Sequence, residues 1–133
     1  MASKTRRKPP ISIARSEHQR LTKLAESQAS RNPDVSDELL TELERARVID
    51  DTKIAEGVVR MGSQLRYTSD LGEDRAVVLV YPGEADISEG KVSIMTPIGT
   101  ALIGLSAGQS IDWTARDGRV HRLTVETVGR PQG

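Results

Sequence analysis

The stretch VSIMTPIGTALIGLSAGQSIDW, Val92 to Trp113, decides how this chain is read. At its centre GTALIGLS, Gly99 to Ser106, has the glycine spacing of a phosphate-binding loop, but Leu105 stands where such a loop carries its lysine. A phosphate cradle needs backbone amides turned to solvent and a cation to meet the charge. Here Ala101, Leu102, Ile103 and Leu105 crowd the segment, so burial outweighs anion binding. Pro97 in a first turn and Gly104 just past the last apolar residue bracket a brief helix instead. Its Leu102 and Ile103 are expected to plug a sheet, each contributing about 1.5–3 kcal/mol by burial.

The surrounding segments supply that sheet. From about Val58 onward VVRM, SQLRYTS and RAVVLVYP read as strands, separated by Met61-Gly62 and by the acidic turn Asp70-Leu71-Gly72-Glu73-Asp74. Val77, Leu79 and Tyr81 fall on one face of the third and Val78 and Val80 on the other, which marks a strand covered on both sides. KVSIM leads into the quoted region. After it, QSIDWTA and RVHRLTVETV flank Arg116-Asp117-Gly118-Arg119, whose Asp-Gly is a strong hairpin signal. Val120, Leu123 and Val125 break strict alternation, and a bulge near Arg122 is expected to absorb the break.

Ahead of the strands the period changes. Ile11 and Ile13 suggest a short extended segment, then Ser16 with Gln19 forms a capping-box pattern, and Leu21, Leu24, Ala25 and Gln28 fall at helical spacing. Asn32 and Pro33 stop this helix near Ser30. Asp34 or Ser36 can cap a second helix, with Val35, Leu39, Leu43 and Ala46 as its apolar stripe and Leu40 beside it. Its acids come early and its bases late, as the helix dipole prefers. The pair makes a hairpin whose arms, of about 14 residues, span roughly 20 Å. Helices so short are marginal alone, so the base of the hairpin is expected to lean on the rest of the protein.

Composition narrows the function. With 133 residues the chain holds one domain plus an appended element. Phenylalanine is absent, and Trp113, Tyr67 and Tyr81 are the only aromatic residues, which leaves no aromatic-lined pocket of the kind a prolyl isomerase needs. Basic and acidic residues balance at 19 each, so no whole-molecule attraction to nucleic acid or anionic membrane arises. Lys4, Arg6, Arg7 and Lys8 read as a solvated, disordered tail, with weak phosphate contact as the alternative. The absence of cysteine fits a reducing compartment, and no apolar run approaches a signal peptide or a membrane span, so a soluble cytoplasmic protein is expected. His18 and His121 lack a metal-binding motif, and no nucleophile elbow or zinc-protease motif is present, which argues against an enzyme and against a resident cofactor or metal.

The segment Val92 to Trp113 is similar to the signature of the C-terminal domain of the Gre transcript-cleavage factors and their relative Rnk. Thr96-Pro97-Ile98-Gly99, Ala101-Leu102-Ile103-Gly104 and Gly108-Gln109 stand in the order that family keeps. LVYPGEAD, Leu79 to Asp86, resembles the strand and exit turn before it, and SDELLTELERAR, Ser36 to Arg47, resembles the second helix of Rnk. The resemblance implies an α+β fold: residues 1–10 as a basic tail, 11–52 as a short antiparallel helical hairpin, and 53–133 as an FKBP-like twisted antiparallel sheet with one short helix. It also implies binding at the secondary channel of RNA polymerase. Gre factors insert a long hairpin there, and acids at its tip help hold the magnesium that cleaves backtracked RNA. Rnk carries a shorter hairpin, competes with Gre factors, and lacks cleavage activity.

On that reading Arg31, Asp34, Asp37 and Glu38 form the hairpin tip and are the candidates for contact with the polymerase. Thr96, Pro97, Gly99, Ala101, Leu102, Gly104 and Gly108 are the structural signature. The plain alternative for the acids is capping and dipole stabilisation of the second helix. A cleavage role for Asp34 and Glu38 would need a partner to complete the magnesium site, and an arm of roughly 20 Å is short for it. Competition by occupancy is the leading expectation, with cleavage stimulation or nucleic-acid binding through the basic tail as the alternatives.

Overall fold

Leu21 and Ala25 on one helix and Leu39 and Leu43 on the next repeat at four residues, and all four are buried, which is what draws the two helices together. In the computed structural model, which describes residues 8–115 and 117–131, these helices are α1 (Arg15–Gln28) and α2 (Pro33–Arg45). Lys4, Arg6 and Arg7 of the basic tail, and Arg116 of the expected hairpin turn, lie outside the described residues.

Both helix starts differ from the sequence expectation. Ser16 does not cap α1. The helix begins at Arg15, which moves the cap position two residues back to Ala14, whose methyl group cannot accept a hydrogen bond. Asp51, far along the chain, takes over: the Ser16 N–H donates to its Oδ1 at 3.0 Å and the Ser16 hydroxyl to its Oδ2. That hydroxyl bond is the main reason the Asp51 carboxyl is held below its usual range. In α2 neither Asp34 nor Ser36 caps, because Pro33 occupies the first helical position with its φ already fixed and sets the boundary at Asn32.

Short strands flank the hairpin. β1 (Ser12–Ala14) pairs in parallel with β2 (Arg47–Ile49), so the chain entering the hairpin lies beside the chain leaving it. Three residues carry too little periodicity to announce β2 in the sequence. The expected strand VVRM is instead an irregular link: Val58 forms a single bridge with Ser106, and Val59 exchanges bonds with Leu105 and Gly104.

The main sheet runs β5-β4-β3-β7-β6, from β3 (Ser63–Ser69), β4 (Asp74–Val80), β5 (Lys91–Ser93), β6 (Ser110–Thr114) and β7 (Val120–Pro131). It is mostly antiparallel. The exception is β4 with β5, which are parallel because the link through the short 3-10 turns Pro82–Glu84 and Ile87–Glu89 carries the chain back before β5 starts. The irregularity expected near Arg122 falls later. β6 and β7 keep register through Arg122, whereas the pairing of β3 with β7 skips Glu126, between Tyr67↔Val125 and Arg66↔Thr127.

α3 (Pro97–Leu102) closes the sheet. Thr96 caps it by accepting from the Gly99 N–H at 3.0 Å, and Leu102 and Ile103 are fully buried, as the apolar pattern anticipates. Two glycines are obligatory there. A Cβ on Gly99 would lie 2.1 Å from the Ser93 carbonyl oxygen, and Gly104 has φ +80 with the Ser12 carbonyl 3.0 Å from where its Cβ would be. The same core includes Ile11, Ile13, Leu21, Leu39 and Leu43 with Leu65, Leu79, Leu102 and Leu123, so hairpin and sheet share one interior.

Candidate functional site

How far the hairpin projects is set by where its sides are tied. Glu17, in the first turn of α1, accepts from Arg60 Nε at 3.1 Å and from the Met61 N–H at 3.3 Å. One turn on, the Arg20 guanidinium lies 5.1 Å from the centre of the Tyr81 ring. His18 joins the arms through a 3.0 Å bond between its Nε2 and the Leu43 carbonyl oxygen. These ties occupy the first half of α1. Only its last eight residues or so extend beyond them, a free reach of about 12 Å.

On the α2 side the tie is a buried carboxylate. Glu42 is 5% exposed and is paired with Lys8 Nζ at 2.6 Å and with the Arg45 guanidinium at 2.7 Å. Arg45 also donates to the Pro9 carbonyl at 2.6 Å, and Gln109 donates to the Pro10 carbonyl at 3.2 Å. Lys8, Pro9 and Pro10, grouped with a disordered tail on composition, thus form a strap stitched to α2 on one side and to the sheet on the other. Proline carbonyls made good acceptors here that composition could not reveal.

The four tip candidates separate. Arg31 and Asp34 are exposed at the turn and the first residues of α2. Asp37 and Glu38 lie further down, on the wall of a groove of about 850 Å³ between α2 and the β6–α3 side of the sheet. Burial, aided by the neighbouring carboxylates of Asp34 and Glu42 and opposed by Lys8, raises the Glu38 carboxyl above its usual range. The opposite wall carries Asp112 and Trp113 of β6, with Thr100 and Ala101 of α3. Arg122 donates to Asp112 at 3.0 Å, and His121 lies 3.7 Å from Asp70 and stacks at a tilt on Trp113, with ring centres 5.7 Å apart. None of these groove residues except Asp37 and Glu38 was singled out from the sequence as a contact candidate. Their proximity comes from long-range folding: Lys8 reads as tail charge, Pro97 and Ala101 as signature residues and His121 as a histidine without a metal motif, and nothing in the sequence brings them together.

The signature residues are architectural in placement. Thr96 and Pro97 start α3, Gly99 and Ala101 are buried inside it, Leu102 fills the core, and Gly104 and Gly108 turn the chain toward β6. The Gly99 amide is taken by Thr96, and the Gly104 and Gly108 amides by the Val59 and Val125 carbonyls at 3.0 and 2.7 Å, so this glycine run is not an anion cradle. Among the described residues no three His, Asp or Glu side chains converge to hold a metal ion, and no helix is long and apolar enough to cross a membrane.

The family model for the GreA/GreB C-terminal part of transcription elongation factors matches residues 54–130, and that for the Rnk N-terminus matches residues 9–49. The chain is 35% identical over 120 residues to the regulator of nucleoside diphosphate kinase of Escherichia coli strain K12, covering 89% of this chain and 88% of that protein. It is 43% identical over 75 residues to GreA of Thermodesulfovibrio yellowstonii, covering 56% of this chain and 48% of that one. Among solved structures, a GreA/GreB prokaryotic elongation factor from Nitrosomonas europaea superposes with TM-score 0.72 at 37% identity, over 92% of this chain and all of the other.

Proposed function

The chain belongs to the GreA/GreB transcription elongation factor family, in the form that carries an Rnk-type N-terminus, and from that premise we propose that it regulates elongation by occupying the entrance of the RNA polymerase secondary channel. It competes there with Gre factors and does not support RNA cleavage. The residues 53–133 act as the docking domain, and the hairpin within 11–52 acts as a stopper.

The observation that carries this reading is the tied hairpin. Half of each arm is fixed against the body of the protein by Glu17, Arg20, Glu42 and the strap through Lys8. A free reach of about 12 Å suits a plug at a channel mouth and falls short of a reactive centre beyond it. Arg31 and Asp34 are then the tip contacts. Glu38, half-buried in the groove and charged only at a cost, is badly placed to recruit a metal ion for Asp34.

The test is a binding assay of the full chain with core RNA polymerase, followed by titration with a Gre factor and by a backtracked-complex cleavage assay. Mutually exclusive binding without RNA shortening is the expected result. Shortening at saturating protein that disappears in Asp34→Ala would replace the stopper by a cleavage stimulator. Failure to bind, or simultaneous binding with a Gre factor, would remove the proposal.

A further inference from the structure

The two edges of the sheet end differently. On the outer side of β5, Asp86 exchanges backbone bonds with Lys91 at 3.0 and 2.9 Å, which closes that edge. β6 has no such cover. The Val125 N–H donates to the Gln109 carbonyl at 3.0 Å and the Ala115 N–H to the Arg119 carbonyl at 2.9 Å. Antiparallel alternation between those two bonds directs Ile111 and Trp113 toward β7 and leaves the N–H and C=O groups of Ser110, Asp112 and Thr114 pointing outward. No backbone bond from any loop or helix among the described residues reaches those three.

The groove of about 850 Å³ runs beside this edge, with Asp112 and Thr114 on one side and Asp37, Glu38 and Thr41 of α2 on the other. Its charge is unbalanced. The wall cations Lys8 and Arg122 are already engaged by Glu42 and Asp112, whereas Asp37 and Glu38 have no ion pair among the described residues. An unpaired strand edge facing carboxylates that belong to no ion pair combines main-chain affinity with side-chain selectivity.

We propose that this groove docks an extended, basic segment of a partner protein, which adds a strand to the outer edge of β6 and sets lysine or arginine side chains against Asp37 and Glu38. Charge decides the occupant. A second copy pairing through the same edge brings its own Asp112, Asp37 and Glu38 into the groove, and like charges placed opposite one another destabilise strand pairs. Phosphate backbones meet the same repulsion. The inference stands apart from the stopper reading above, since it concerns the sheet edge and not the hairpin tip.

The experiment titrates the full chain with a seven-residue peptide of alternating lysine and valine, acetylated and amidated. Trp113 is the only tryptophan, so its emission reports on the groove. A saturable change that weakens with salt is expected, with amide exchange slowed at Asp112 and Thr114. Thr114→Pro removes an outward N–H and no bond to β7, and lowers affinity about five-fold. The same peptide N-methylated at alternate amides, which leaves the protein untouched, shows a comparable loss. Asp37→Asn combined with Glu38→Gln weakens binding and flattens its salt dependence, and a glutamate–valine peptide does not bind. The proposal fails if no saturable change occurs up to millimolar peptide, or if N-methylation leaves affinity unchanged. Protection confined to other strands, or an emission change that follows protein concentration without peptide, would also overturn it.

Discussion

α3 and the hairpin are both helical, yet they are specified by opposite means. α3 is six residues held by its own neighbours in sequence: Thr96 caps it, Pro97 starts it, Gly99 passes under Ser93 and Gly104 turns out of it. Each arm of the hairpin is about twice as long and relies on residues far away, with Asp51 at the start of α1, Arg60 on Glu17, and Lys8 on Glu42. A short element with local rules tolerates few substitutions. A longer element with distributed ties loses them one at a time.

The sharpest test of that contrast is Gly99→Val. With the Ser93 carbonyl only 2.1 Å from the site of the new Cβ, backbone must move, and a loss of about 3 kcal/mol or more is expected by chemical denaturation. A loss under about 1 kcal/mol would show that α3 is not the rigid partner in the comparison. Next in size is Glu42→Ala, which strands Arg45 and Lys8 together and leaves the Pro9 contact without its guide. About 1–3 kcal/mol is expected, with faster amide exchange along α2 and unchanged exchange in β3.

Asp51→Ala addresses one tie only. Its signature is fraying at Ser16 and Glu17 with the sheet unaffected, read by amide exchange. The pH dependence has a definite sign. A carboxyl whose folded value lies below 3.8 contributes stability that is complete above 3.8 and is lost as pH falls through that lower folded value, and the variant lacks this loss. Glu38→Gln acts in the other direction and least. Its carboxyl is raised above 4.5 in the fold, so ionisation is penalised as pH rises through that raised value. The variant gains less than about 0.5 kcal/mol at neutral pH, given how open the site is to solvent, and the gain vanishes toward pH 4.5 and below. A destabilised variant would mean that charged Glu38 is instead held by Lys8.

The contrast also explains what the sequence disclosed. The cap, start and exit of α3 are encoded within about ten residues, so Pro97, Leu102 and Gly104 can be assigned from spacing, although the crowding of Gly104 by Ser12 cannot. The strands SQLRYTS and RAVVLVYP were equally open to reading because alternation is local. The parallel pairing of β1 with β2, the Asp51 cap and the Lys8–Glu42 tie join residues 34 or 35 positions apart, and no pattern in either partner announces the other. The groove between α2 and β6 belongs to the same class. Its wall residues read individually as solvated charges, and only folding sets Glu38 across from Asp112.

The turn Ala29 to Asn32 makes none of the ties that hold the base of the hairpin. Its length is therefore a free design variable. One extra heptad in each arm would extend the probe by about 10 Å while every anchoring bond stays in place. A graded set of such insertions would serve as a molecular ruler, measuring whether depth alone separates the proposed stopper from a catalyst's accessory.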